Sequence, residues 1–286
     1  MSGTKATPLA SAPVAAPTVD FLLDGQSAQA FAGESILKAA QRHGVDIPHL
    51  CYSDGLRADG NCRACVVEID GERSLAPSCC RNVTAGMQVK AQSPRALKSQ
   101  AMVVEMLLSD MPEVGYKWND SGATKGAAVT SGAAAPGDAP GSSSRSSISS
   151  PGASPGTAGS GASIVVGQHG ELSEWASRMG ISVRPALKAL RRAQPASDVS
   201  HPAMAVNLDA CIQCNRCVRA CREEQVNGVI GYAHRGAHSA IVFDLGDAMG
   251  TSSCVACGEC VQACPTGALM PKTQIGSQAV DKKVDS

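Results

Sequence analysis

Aromatic residues are almost missing from this chain. Of 286 residues three are Phe, three Tyr and two Trp, 3% in all. Aromatic side chains bury the largest apolar areas, so no part of the chain is expected to build a large conventional core. Net charge is missing as well, with 25 Lys and Arg balancing 25 Asp and Glu, which argues against a nucleic-acid partner. No apolar run approaches the roughly 20 residues that cross a bilayer, so no membrane span is expected; the best, Met102–Leu108, is interrupted by Glu105. Neither a G-x-G-x-x-G fingerprint nor a P-loop occurs, which places nucleotide chemistry outside this chain. The Ala- and Pro-rich start lacks the charged and apolar regions of a secretory leader, and has no twin arginine. These absences point to a cytoplasmic protein, whose thiols stay reduced.

Cysteine is plentiful, with 13 in the chain, yet sparser than in secreted disulfide scaffolds. Eight fall in two runs, Cys211-Ile-Gln-Cys214-Asn-Arg-Cys217-Val-Arg-Ala-Cys221 and Cys254-Val-Ala-Cys257-Gly-Glu-Cys260-Val-Gln-Ala-Cys264-Pro265. Each reads C-x2-C-x2-C-x3-C, the spacing of two-cluster ferredoxins, in which the fourth cysteine serves the other cluster. The expected ligand sets are therefore Cys211, Cys214, Cys217 and Cys264 for one [4Fe–4S] cluster, and Cys254, Cys257, Cys260 and Cys221 for the second. Arg222 stands where the first run would carry its own proline, a small departure. The alternative is a structural zinc-binding interaction protein, because paired C-x2-C also holds zinc; the pitch within each run is too short to close one tetrahedron comfortably.

Four more cysteines, Cys51, Cys62, Cys65 and Cys79, are spaced C-x10-C-x2-C-x13-C. This is the plant-type [2Fe–2S] pattern with a longer first loop. Gly55 and Gly60 in that loop let backbone N–H groups approach the sulfurs. Short strands over 19–23 and 29–32, a helix over 35–43 and a strand over 66–69 surround it, giving a small α+β domain. Cys80 is left over and is expected to be a passive buried thiol. His169, His201 and His234 sit in no run with three spare cysteines, so no histidine ligand is expected.

The organisation follows. A disordered tail (1–17) precedes the [2Fe–2S] domain (18–92) and a packing helix within 93–118, starting at Pro94, with Leu97, Ala101, Val104 and Leu108 on one stripe. Residues 119–163, dominated by Gly, Ala, Ser and Pro, form a flexible linker with a reach of roughly 35–40 Å. A helical connector (164–200) holds helices over 172–179 and 185–192, whose Arg184, Lys188, Arg191 and Arg192 are read as a solvated face. The two-[4Fe–4S] domain spans 201–275, with an inserted hairpin over 228–244 lying on the clusters, and a tail ends the chain (276–286). Such a linker cannot by itself position the first module, so the Pro94 helix or a partner subunit is expected to hold it.

The three cysteine sets together resemble the N-terminal iron–sulfur region shared by respiratory NADH dehydrogenase, the diaphorase part of NAD-reducing hydrogenases, and NAD-dependent molybdenum formate dehydrogenase. The stretches from His201 through Lys272, Met111–Trp118 and Gln168–Trp175 look most like the formate dehydrogenase α subunit. The resemblance implies a β-grasp fold for the [2Fe–2S] domain and Cys79 rather than Cys80 as its fourth ligand. It also implies one [2Fe–2S] and two [4Fe–4S] clusters as cofactors, electron transfer as the function and no catalytic residues in this chain. The partners it implies are a molybdopterin-bearing catalytic polypeptide and a flavin/NAD subunit. Two departures stand out. The histidine-plus-three-cysteine motif of many relatives is missing between the modules, and the chain stops at Ser286, about where the molybdopterin part begins in that α subunit.

Overall fold

A computed structural model of the chain describes residues 17–112, 169–188 and 197–275. The linker 119–163, nearly all of both tails, and Arg191 and Arg192 lie outside the described residues. Strands β1 (Thr18–Leu23) and β2 (Gln26–Phe31) form an antiparallel hairpin. Its turn residues Asp24 and Gly25 have φ of 49° and 83°, the left-handed pair that a two-residue hairpin loop requires. Alternation along both strands sends Phe21, Leu23, Ala28 and Ala30 inward. Helix α1 (Ile36–Arg42) starts at Ser35, whose Oγ accepts from the Lys38 N–H at 3.3 Å. Its residues Ile36, Leu37, Ala39 and Ala40 join the same core.

Strands β3 (Val66–Ile69), β4 (Ala76–Pro77) and β5 (Gln88–Lys90) complete a sheet of order β2-β1-β5-β3-β4. Only β1 and β5 run parallel. This is the expected α+β arrangement of the N-terminal domain.

Helix α2 (Pro94–Ser109) begins with proline in its first turn and a Ser93 cap, Oγ accepting from Ala96 N–H at 3.1 Å, the favoured pairing at a helix start. Its buried face differs from the expected apolar stripe. Ala96, Gln100, Val104 and Leu108 face inward, while Leu97 is exposed. Gln100 causes the difference: its Nε2 donates to the Val66 carbonyl at 2.9 Å, so a polar side chain anchors the helix to β3.

Helices α3 (Gly170–Arg178) and α4 (Pro185–Lys188) follow. Leu172 and Ala176 of α3 share one core with Val104 and Leu108 of α2 and with Ala210 and Ala268 of the C-terminal domain. Arg184, expected on a solvated face, binds Glu105 of α2 through Nε at 2.7 Å and Nη2 at 2.9 Å. Arg184 therefore closes the connector onto α2.

The C-terminal domain is framed by strands β6 (Met204–Val206) and β9 (Leu269–Pro271), paired antiparallel. Between them lie helix α5 (Arg216–Arg219), which continues as a wider turn over Ala220–Glu224, the hairpin β7 (Ile230–Ala233) and β8 (Ala240–Phe243), and helix α6 (Glu259–Ala263). Neither β6 nor β9 is legible in the sequence, being three residues each and buried without alternation. No helix among the described residues is long and apolar enough to cross a membrane.

Gly170 shows how tightly α3 sits on this domain. Its φ is +55° and a Cβ there would lie 2.4 Å from the Pro265 carbonyl oxygen, while the Glu171 N–H donates to that same oxygen at 2.8 Å. Gly170→Ala must displace backbone beside Cys264. A loss of about 1–3 kcal/mol is expected, from the left-handed conformation and the clash together, measurable as a lower midpoint in thermal unfolding of the intact protein.

Candidate metal centres

The first centre is built by loops around the N-terminal sheet. Cys51 lies in the chain that follows α1, Cys62 and Cys65 immediately precede β3, and Cys79 follows β4. Cys51, Cys65 and Cys79 are buried and Cys62 half-buried. The Cys51 sulfur interacts with those of Cys62 and Cys79, and the Cys79 sulfur with that of Cys65. Cys51 accepts from Cys62 and Cys79, which depresses its pKa to about 2. Cys79 also donates to Cys65, lowering that thiol to about 7, and the two donors Cys62 and Cys79 are pushed up in return, chiefly by Cys51. Four neighbouring thiols of this kind are a donor set for iron, which would replace their protons.

Backbone geometry supports the set. The Cys51 N–H points at Cys62 Sγ at 3.4 Å, and Gly55 and Gly60 in the intervening loop, with Arg63 just beyond it, take positive φ. Cys80 is exposed rather than buried. The Cys80 and Arg81 N–H groups close a turn on the Pro77 carbonyl, and Cys80 Sγ lies 3.6 Å from Cys79 Sγ and against the backbone of Gly60.

The C-terminal runs repeat one local structure. Gln213 and Asn215 in the first have φ of 54° and 67°, and Ala256 and Gly258 in the second have 60° and 85°. In each run the residue two beyond the first cysteine turns its N–H onto that sulfur, Gln213 to Cys211 and Ala256 to Cys254, both at 3.4 Å. Successive inward-facing N–H groups form the concavity that suits an anionic sulfur site. Each turn then feeds a short helix, α5 or α6, bearing the third cysteine.

One group of thiols draws on both runs. An apolar pocket is lined by Cys211, Cys214, Cys217 and Cys264, with Ile212, Ile241 and Leu269 among its walls. Burial raises Cys217 and Cys214, and the neighbouring sulfurs Cys211 and Cys264 raise both further. Cys260 is pushed up to about 12 by burial and then by Cys254, Cys257, Cys221 and Cys264. The hairpin β7–β8 lies over the first group: Tyr232 Oη donates to the Gln213 carbonyl at 3.0 Å, and Gln213 Nε2 donates to the Ser239 carbonyl. Among the described residues no three His, Cys, Asp or Glu converge on a point that one ion could fill; the sulfurs surround volumes. His201 is engaged elsewhere, its Nδ1 accepting the N–H groups of Ala203 and Met204 at 3.1 Å.

Residues missed by the sequence reading are Arg216 and Arg219 on α5, both 3% exposed. A comparison of the runs carries the signal, for the second has Glu259 and Gln262 at the corresponding places.

The chain matches two family models, a 2Fe-2S iron-sulfur cluster binding domain over residues 16–94 and a 4Fe-4S dicluster domain over residues 210–268. It is an iron–sulfur electron-transfer module. Its relatives are components of NADH-quinone oxidoreductases and of hydrogenases that reduce nicotinamide nucleotides. The NADP-reducing hydrogenase subunit HndD of Solidesulfovibrio fructosivorans is 31% identical over 87% of this chain and 35% of its own length. A component of the NADH-quinone oxidoreductase of Rhizobium meliloti is 28% identical over 77% of this chain and 20% of its own. The chain thus spans about a third or less of these curated relatives. A chain in the crystal structure of an NAD+-reducing [NiFe]-hydrogenase in the H2-reduced state superposes with a TM-score of 0.63, covering 89% of this chain and 87% of that one at 23% identity; this likeness concerns the fold.

Proposed function

We propose that this chain is the electron-carrying module of an NAD-linked oxidoreductase complex, with Cys51, Cys62, Cys65 and Cys79 holding a [2Fe–2S] cluster, Cys211, Cys214, Cys217 and Cys264 one [4Fe–4S] cluster, and Cys254, Cys257, Cys260 and Cys221 the other. The observation that carries the reading is the gathering of thiols from both cysteine runs around one apolar pocket, beside a separate set of four neighbouring thiols in the N-terminal domain. When bound, the clusters supply one-electron carriers. The chain's own contribution is to hold them: buried thiolates bind, apolar walls such as Ile241 and Leu269 exclude water, and N–H groups aimed at sulfur stabilise negative charge, which favours the reduced form. No side chain in these groups is placed for acid–base chemistry on a substrate.

The electron donor we infer is formate, oxidised on a molybdopterin-bearing polypeptide, with a flavin/NAD subunit as acceptor. The resemblance of residues 111–118, 168–175 and 201–272 supports this. A second reading, the diaphorase module of a nucleotide-reducing hydrogenase, draws on the HndD likeness across most of the chain. Co-purification of the native complex separates them, because formate oxidation requires molybdenum with the chain and hydrogenase activity requires a hydrogen-splitting metal subunit. The module reading itself is tested on anaerobically purified protein. About ten irons per chain, with matching sulfide and a [2Fe–2S] EPR signal beside two [4Fe–4S] signals, is the expected result. Stoichiometric zinc and silence in EPR would overturn it.

A further inference from the structure

The two cluster-binding modules meet directly, through the loop 51–62 of the first and helix α5 of the second. Arg219 donates from Nη2 to the Cys51 carbonyl and from Nη1 to the Arg57 carbonyl. Arg216 donates from Nη2 to the Tyr52 carbonyl, and Glu171 of α3 grips the same guanidinium at 2.7 and 2.9 Å. Around them, Asp59 lies 3.9 Å from Arg219 Nε and accepts from Asn215 Nδ2 at 3.0 Å. Asn61 Nδ2 reaches the Cys214 carbonyl at 3.5 Å. Leu56 at the loop's tip is buried against Ala220 and Ala263, and Glu223 accepts from the Arg57 N–H at 3.1 Å.

Both guanidinium groups are buried at 3% exposure. Burying a charge is costly unless it is paired and fully hydrogen-bonded, so these side chains are not incidental to the seam. Three of their acceptors are backbone carbonyls of the loop, which only the docked loop supplies. Undocking would strand two cations between the modules, and a planar fork with several donors satisfies several carbonyls where an ammonium cannot. The geometry also joins the sites closely. Arg219 and Arg216 flank Cys217 and Val218 in sequence, and their acceptors belong to Cys51 itself and to its neighbour Tyr52.

We propose that Arg216 and Arg219 are positioning residues, a two-arginine clamp that seats the 51–62 loop on α5 and so fixes the separation between the Cys51 and Cys217 thiolate groups. The clamp rests on the reading that both groups hold clusters, but its mechanical part does not need them. It acts beside the Pro94 helix, whose Val104 and Leu108 share a core with α3 and the C-terminal domain, and it explains why two arginines stand in the first cysteine run and none in the second.

The test uses the full chain carrying R216Q and R219Q together. Hydrogen–deuterium exchange of residues 51–62 should speed up by on the order of tenfold or more, the scale expected when a docked segment opens locally, while β1, β2 and β5 keep wild-type protection. In reduced protein the [2Fe–2S] EPR signal should lose the relaxation enhancement caused by the reduced neighbour, at unchanged iron content. R216K and R219K keep the charge but lose the fork; each should give part of the effect, and they carry the test if the double variant does not fold. Unchanged exchange in 51–62 together with unchanged relaxation would overturn the clamp. Failure to find iron in the wild type would instead overturn the cluster reading, leaving the exchange result to decide the clamp alone.

Discussion

Replacing Cys264 with alanine is expected to strip four irons from the chain, and to strip them from the site built by the other cysteine run. Cys264 closes the second run in sequence, yet it lines the cavity of Cys211, Cys214 and Cys217. Its counterpart Cys221 closes the first run and lies beside Cys260 with Cys254 and Cys257. On the proposed ligation each cluster would tie the first cysteine run to the second, and losing one cysteine would open a tie between distant parts of the domain. Paired substitutions reveal the grouping, because residues acting on one site are non-additive and residues on separate sites add. C264A with C211A should leave about six irons, the same as C264A alone, whereas C264A with C254A should leave about two. About six irons in the C264A/C254A protein would show that Cys264 serves its own run.

Much of this is legible in the residues alone because cluster ligation constrains spacing so tightly. Cysteines two apart in a turn must adopt the left-handed conformations seen at Gln213, Asn215, Ala256 and Gly258, and the repeat of that spacing announces the dicluster domain. The β1–β2 hairpin is legible from Asp24-Gly25 and α1 from the Ser35 cap. What escapes has no periodic signature. Strands β5, β6 and β9 are three residues long, too short for alternation to register. The buried face of α2 turns on Gln100, a polar residue recruited by one hydrogen bond to Val66. Cys80 is exposed although its sulfur lies 3.6 Å from that of Cys79, and composition carries no trace of which way a turn points. The contact between modules is invisible for a related reason: Arg216 and Arg219 bind backbone carbonyls more than 160 positions away, partners that have no side-chain identity to read.

Removing the clusters is expected to unfold the dicluster domain and leave the N-terminal sheet standing. The N-terminal core draws on a five-stranded sheet and α1, with Phe21, Leu23, Ile36, Leu37, Ile47, Val67, Ile69 and Val89 in one apolar group to which Cys65 and Cys79 add little. The C-terminal core is different in kind. It has two separate two-stranded sheets, each marginal alone, and three of its buried members are the thiols Cys217, Cys221 and Cys260. Gln213, Asn215 and Ala256 are also held in left-handed backbone that costs about 1–2 kcal/mol per residue. Structural metal–thiolate sites contribute roughly 10 kcal/mol or more to folding, comparable to the whole stability of a domain, about 5–15 kcal/mol. Stripping the reduced protein with an iron chelator under anaerobic conditions should therefore bring amides of β6, β7, β8 and β9 to near unfolded exchange rates, while β1, β2 and β5 stay protected. Retained protection in β6 and β9 would show that the fold does not depend on the clusters. The loop 51–62 decides between an isolated collapse and a coupled one. Although it belongs to the surviving module by sequence, its carbonyls are held by α5, so it should lose protection with the dicluster domain and not with the sheet that carries it.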